Sequence, residues 1–244
     1  MTAPALSLRD IRQTFGDTVA LDTPSLTFGP GLTAVLGRNG SGKTTLARLL
    51  ATVWAATEGT VLIDGRPSTE PPVRLDYRRR LGYVAQENTL PPRMRVADYC
   101  DYVGVLKEIG PQRSRLRWTH WALIQVGLID RAGDRIKTLS GGMQRRLAIA
   151  QSLLGGPEVL ILDEPDASLD PEHRARIGSL FTGRGTTATT VAMTHHPDDL
   201  AAAADRVIIL DAGRLVFDGT PAQLATHGDG SVDAGFRAML PPLR

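Results

Sequence analysis

The sequence predicts an α/β fold: a core built on a parallel sheet, preceded by an antiparallel edge sheet and interrupted by an inserted helical subdomain. Three features carry this expectation. Apolar runs of strand length alternate with segments of helical period, a Gly-rich turn separates one such run from one such segment, and the pattern becomes wholly helical between Glu87 and Leu154. In chain order, residues 6–11, 19–21 and 26–28 are short strand candidates, split by Gly16-Asp17 and by the polar residues 22–25, which reads as antiparallel edge strands. Residues 32–36 then form an apolar run, and Leu46, Leu49, Leu50 and Val53 recur on one helical face. Residues 81–85 are a further strand. Three helical segments follow, over residues 96–108, over 114–126, and from Ser140 onward, with Pro91-Pro92 before them and Gly155-Gly156-Pro157 after. In the first, Val96, Tyr99, Cys100, Val103 and Leu106 share a face expected to pack inward, leaving Tyr102 at its edge and Val105 opposite. Residues 159–162, 190–193 and 207–210 suit strands buried on both faces. The expected organisation is a core from residues 1–88 and 155–224, a helical subdomain over 89–154, and a short tail over 225–244.

Composition narrows the function. The chain has 244 residues, 42% hydrophobic and 22% charged, enough for a sizeable core. Lysine and arginine number 28 against 26 acids, so the net charge of +2 supplies no general field for holding nucleic acid. No apolar run is long enough to cross a bilayer, and residues 1–8 lack the pattern of a secretory leader. With Cys100 as the single cysteine, a cytoplasmic protein without disulfides is expected, Cys100 being a small buried apolar residue. His120, His173 and His227 join no cluster with metal-ligand spacing.

Gly37-Arg38-Asn39-Gly40-Ser41-Gly42-Lys43-Thr44 matches the G-x-x-x-x-G-K-[ST] pattern, after a strand candidate and before a helix candidate. The glycines let backbone N–H groups face phosphates, and the helix start places roughly half a positive charge beneath them. Lys43 is expected to reach the β and γ phosphates of a nucleotide, Thr44 to ligate Mg²⁺, and Thr45 to donate to the α phosphate. Residues 159–162 lead into Asp163-Glu164. Beside a phosphate loop, Asp163 becomes the Mg²⁺ carboxylate. Glu164, expected to point the opposite way on an extended backbone, becomes the group that polarises an attacking water. Ser140, followed by Gly141-Gly142, reads as a helix N-cap with open backbone and so as a second anion site. One ATP needs only one phosphate loop, which points to nucleotide held between two copies.

With Leu139-Ser140-Gly141-Gly142-Met143-Gln144 lying before Asp163-Glu164, the chain resembles the nucleotide-binding subunit of ATP-binding cassette (ABC) transporters from about Leu6 to Leu224. The resemblance implies a P-loop NTPase, RecA-like core and a signature, Ser140, Gly141, Gly142 and Gln144, that binds the γ phosphate of ATP on the opposing subunit. It places Phe15 where an aromatic residue stacks on adenine, although the residue alone fits a core aromatic equally well. Gln86 matches the glutamine that touches Mg²⁺ or the water. Ser168-Leu169-Asp170 matches the loop that crosses to the partner site, with Asp166-Ala167 replacing the Ser-Gly or Thr-Ala more usual before it. His195 resembles the switch histidine on the γ phosphate. The adjacent His196 is the alternative, and strand register with Thr194 favours His195.

The resemblance implies an ATPase that dimerises on ATP and Mg²⁺ and drives a separate membrane-spanning permease from its cytoplasmic side, the permease docking near Met94 and Tyr102. Gly142-Met143-Gln144-Arg145-Arg146 and the compact length resemble bacterial drug, antibiotic or lipid-linked exporters more than importers. An importer ATPase, or a cassette ATPase not engaged in transport, are the alternatives.

Overall fold

The computed structural model describes residues 4–87, 89–183 and 187–240. The first three residues of the segment read for a leader, Asn88 at the expected boundary, and the end of the tail lie outside them. Its elements are β1 (Leu6–Phe15), β2 (Thr18–Phe28), β3 (Gly31–Leu36), α1 (Lys43–Leu50), β4 (Glu58–Ile63), β5 (Arg66–Pro67), α2 (Pro71–Arg80) and β6 (Leu81–Val84). Then follow α3 (Val96–Leu106), α4 (Gln112–Gln125), α5 (Gly141–Leu153), β7 (Val159–Asp163), α6 (Pro171–Thr182), β8 (Thr189–Thr194), β9 (Arg206–Asp211), β10 (Arg214–Gly219), α7 (Pro221–Ala225) and α8 (Val232–Met239).

One sheet has six strands in the order β10-β9-β3-β8-β7-β6, parallel except for the β9/β10 edge pair. Its strands are apolar throughout because both faces are covered, and their residues divide by parity. Leu32, Ala34, Leu36, Leu160 and Leu162 join the core shared with α3, α4, α5 and α6, while Val35, Val159 and Ile161 join the core shared with α1 and the second sheet. That second sheet, β2-β1-β4-β5, is antiparallel. It is the antiparallel sheet expected beside the parallel core, and it forms a layer of its own.

The sequence underestimated this layer. Residues 22–25 do not interrupt a strand, because β2 runs through them with Asp22 opposite Arg12, Thr23 opposite Ile11 and Ser25 opposite Arg9. Cross-strand pairing overrides their low strand propensity. In α2 only Val73 and Tyr77 are buried, two residues four apart, too sparse a stripe to read. The α1 helix ends at Leu50, leaving Val53 exposed rather than on its core face. In α3 the buried line runs through Val96, Cys100 and Gly104. At about 100° per residue, Leu106 lies about 120° from the centre of that line, so it is exposed (62%) rather than packed inward, while Tyr99 and Val103 flank the core. Cys100 is buried and free. The tail is helical and contributes Phe236 and Leu240 to the core. Among the described residues no helix is long and apolar enough to cross a membrane.

Candidate active site

The sheet order builds the site. Four adjacent parallel strands, β3, β8, β7 and β6, end on the same side, so the residues that follow them meet: Gly37, Thr194-His195, Asp163-Glu164 and Ala85-Gln86. A cleft of about 540 Å³ opens there. It is lined by Phe15, Asn39, Gly40, Ser41, Gly42, Lys43, Thr44, Thr45, Gln86, Glu164 and His195, with Arg48 and Trp54 added. Gly37 and Arg38, expected from sequence in the site, do not line it; their carbonyls accept from Lys43 Nζ at 2.7 and 3.1 Å and so hold the lysine. Gly42 stands before α1 at φ 101°, and a Cβ there would meet the Ala20 carbonyl at 2.6 Å, so the turn demands glycine. Burial pushes the Lys43 pKa down, while Glu164 and Asp163 oppose the shift.

Asp163 is fully buried at the end of β7, and among the described residues no hydrogen bond of ordinary geometry reaches either carboxylate oxygen. Burial pushes its pKa up from the ordinary carboxylate value and Glu164 adds to the rise, while the nearby Thr44 hydroxyl, Arg145 and Lys43 oppose it. The Thr44 hydroxyl donates to Gln86 Oε1 at 3.1 Å. Orphaned carboxylate oxygens beside a hydroxyl and an amide oxygen are a hard donor set of the kind Mg²⁺ takes, so the residues present fit that ion.

Glu164 is not on extended backbone, as the sequence reading assumed. It has left the strand with φ 52°, its N–H donating to the Met193 carbonyl at 2.8 Å. The chain turn, not strand alternation, separates it from Asp163. Its side chain is 13% exposed, and Glu164 Oε1 lies 3.3 Å from His195 Nδ1. His196 is absent from the cleft lining and packs its ring 4.0 Å from that of His195. Asp166, the departure from the usual loop, is buried. It accepts from the Thr194 hydroxyl at 2.8 Å, and that oxygen accepts from the His196 N–H at 3.0 Å, tying the loop to the strand end that bears His195.

Ser140, Gly141, Gly142, Gln144 and Asp170 are not part of this cleft. Ser140 is exposed and caps α5, accepting from the Met143 N–H at 3.3 Å, and Gln144 donates to the Leu139 carbonyl at 3.1 Å. A Cβ on Gly142 would lie 2.9 Å from the Ser168 carbonyl, so the α5 start and the Ser168 loop touch within one chain. Asp170 caps α6 and also bonds His173, which holds its carboxyl below the ordinary range.

Two lining residues had no signal in the sequence reading. Trp54 meets Phe15 edge-on at 5.1 Å between ring centroids, and the Arg48 guanidinium lies 4.5 Å over the Trp54 ring. Phe15 remains 47% exposed on top of this stack. Their spacing, six residues apart at the end of a helix, is no recognisable pattern.

The family described as ABC transporter matches residues 21–167. The daunorubicin resistance ATP-binding protein DrrA3 of Streptomyces coeruleorubidus is 35% identical over 245 residues, 97% of this chain and 75% of the relative. The phosphonates import ATP-binding protein PhnC of Anaeromyxobacter dehalogenans is 35% identical over 99% of the chain, and the human phospholipid-transporting ATPase ABCA7 is 34% identical over 98%. The chain spans half the length of that PhnC and 11% of ABCA7. Its fold superposes on the dimeric structure of MJ0796, a bacterial ABC transporter cassette, with a TM-score of 0.80 at 25% identity, covering 88% of this chain and 98% of the other. It superposes on cbiO1 of Clostridium perfringens, part of the transporter complex cbiONQ, with a TM-score of 0.77 at 28% identity, covering 91% and 90%.

Proposed function

The chain belongs to the ABC transporter family of ATP-binding cassettes, and from that premise we propose that it hydrolyses ATP in a head-to-tail dimer to power transport through a separate membrane permease. The observation that carries the reading is the division of the site. The cleft holds Lys43, Thr44, Gln86, Glu164 and His195 but not Ser140, which stands exposed at the start of α5. Two anion-binding helix starts kept apart in one chain are used together when a second copy supplies the missing one.

Lys43 and the loop N–H groups bind the phosphates and orient the terminal phosphoryl, and Phe15 supports the base from the exposed side of the stack. Glu164, fixed by its turn and by His195, orients a water and takes its proton. His195, 3.3 Å from Glu164 Oε1, holds that carboxylate and contacts the terminal phosphoryl in this reading. Thr44, Gln86 and Asp163 would hold Mg²⁺, which when bound would neutralise phosphate charge. Ser140, Gly141 and Gly142 of the partner copy close the site, and the Ser168–Asp170 loop lies at the same boundary.

The permease is proposed to seat at a cleft of about 470 Å³ beside Gln86, lined by Glu87, Thr89, Leu90, Tyr99 and Val103. This refines the expectation from sequence, since Tyr102 is exposed on the same helix whereas Met94 packs against the core. Relatives include both import and resistance or lipid-transporting proteins. Export remains the proposed direction on the strength of the Met143-Gln144-Arg145-Arg146 sequence after the signature glycines.

Complementation tests the shared site. A Lys43→Ala chain and a Ser140→Arg chain, each inactive alone, should recover ATPase activity when mixed, because one composite site per mixed dimer is intact. Subunit exchange without recovery would contradict the reading.

A further inference from the structure

The guanidinium of Arg145 meets four main-chain carbonyls at the heart of the site. It rises from α5 five residues after Ser140 and is 6% exposed. Nη1 donates to the Ala85 carbonyl at 2.6 Å and to the Gln86 carbonyl at 3.2 Å. Nη2 donates to the Asp163 carbonyl and to the Glu164 carbonyl at 2.5 Å. The first pair lies just past the end of β6, and the second spans the end of β7 and the turn at Glu164. A single side chain therefore joins the helix that begins the signature to the backbone of Gln86, Asp163 and Glu164.

Ala85 and Gln86 follow the last strand pairing, so their carbonyls take donors from elsewhere, and the Glu164 carbonyl accepts from the Ala167 N–H at 3.1 Å as well as from Arg145. Glu164 also holds a left-handed φ of 52°, a conformation that costs of order 1 kcal/mol for a non-glycine residue and persists only when its surroundings fix it. Burial lowers the Arg145 pKa, against which Asp163, Asp166 and Glu164 act. Hydrogen bonds from a charged donor are about twice as strong as neutral ones. A planar fork with four terminal N–H groups suits four carbonyls in two segments; a lysine ammonium, with three donors at one point, does not.

We propose that Arg145 is a positioning residue that holds Glu164 and Gln86 of its own chain in catalytic register, by fixing the carbonyls at the ends of β6 and β7. The inference rests on the shared-site reading above.

Arg145→Met removes all four bonds, and Arg145→Lys keeps a charge without the fork. Both variants should bind a fluorescent ATP analogue within about threefold of the parent, with KM within threefold and kcat lowered at least tenfold. The lysine variant, which retains the buried charge, serves if the methionine variant does not fold. Mixed dimers then locate the lesion. Arg145→Met with Ser140→Arg should recover activity, because the site built on Lys43 and Glu164 of the Ser140→Arg chain keeps its own Arg145 and meets an intact Ser140. Arg145→Met with Lys43→Ala should stay inactive. The reverse pattern places the effect across the interface and overturns the proposal, as does parental kcat in Arg145→Lys. The mixture of Lys43→Ala with Ser140→Arg is the control. Its failure would remove the shared-site reading, leaving the kcat and KM of the Arg145 variants to decide the positioning role on their own.

Discussion

Replacing Trp54 with alanine should weaken ATP binding without slowing chemistry. Trp54 supports Phe15 edge-on at 5.1 Å and is itself covered by Arg48 at 4.5 Å. An aromatic pair contributes about 0.5–1.5 kcal/mol and an exposed cation–π contact about 0.5–1 kcal/mol. Part of that stabilises the protein without nucleotide, so the loss that appears in binding should be about 1 kcal/mol, or about fivefold in dissociation constant. Arg48→Met removes the cation–π contact and keeps the ring pair, so it should cost about twofold. Displacement of a fluorescent ATP analogue measures both. In steady-state ATPase assays Trp54→Ala should raise KM about fivefold with kcat within twofold, the signature of binding shared by ground and transition states. Unchanged affinity in Trp54→Ala would show that the stack does not carry the base, and lowered kcat at constant KM would place Trp54 in the chemistry instead.

The Cys100 thiol is fully buried and its pKa is pushed up by burial to about 12. Its folded pKa lies above its unfolded value, so the stability it contributes is complete below about pH 9 and falls as pH rises toward 12. At pH 8.5 a thiol reagent should leave the native chain unmodified and label one thiol per chain in denaturant; rapid native labelling would contradict the burial. At the proposed permease cleft, Thr89→Arg with Tyr102→Ala should leave basal ATPase unchanged and abolish copurification with the membrane subunit, both residues being exposed and outside the nucleotide cleft. Full copurification would place the docking surface elsewhere.

Much of this was legible in the sequence because the chemistry is local. The phosphate loop is eight consecutive residues between a strand and a helix, and Asp163-Glu164 ends an apolar run, so neither needs tertiary information. What was illegible depends on distant pairing. The polar residues of β2 become strand only because β1 pairs with them, and α2 shows just two buried residues. Trp54 enters the site through the ring of Phe15, 39 positions away, and Arg145 through carbonyls just past the ends of two strands. Glu164 was found from its place in the sequence but for an incorrect geometric reason, since a left-handed turn rather than strand alternation orients it.

The central claim, that one ATP site is completed by a second copy and fired by Glu164, is tested most directly by Glu164→Gln. The change removes the base while keeping Lys43, Thr44, Gln86 and Asp163, so nucleotide should bind and remain unhydrolysed. In size-exclusion chromatography with ATP and Mg²⁺ the variant should elute as a dimer carrying two ATP per dimer, and should return to monomer when ATP is withdrawn. A variant that stays monomeric under saturating ATP and hydrolyses it at the parental rate would contradict both the role of Glu164 and the shared site.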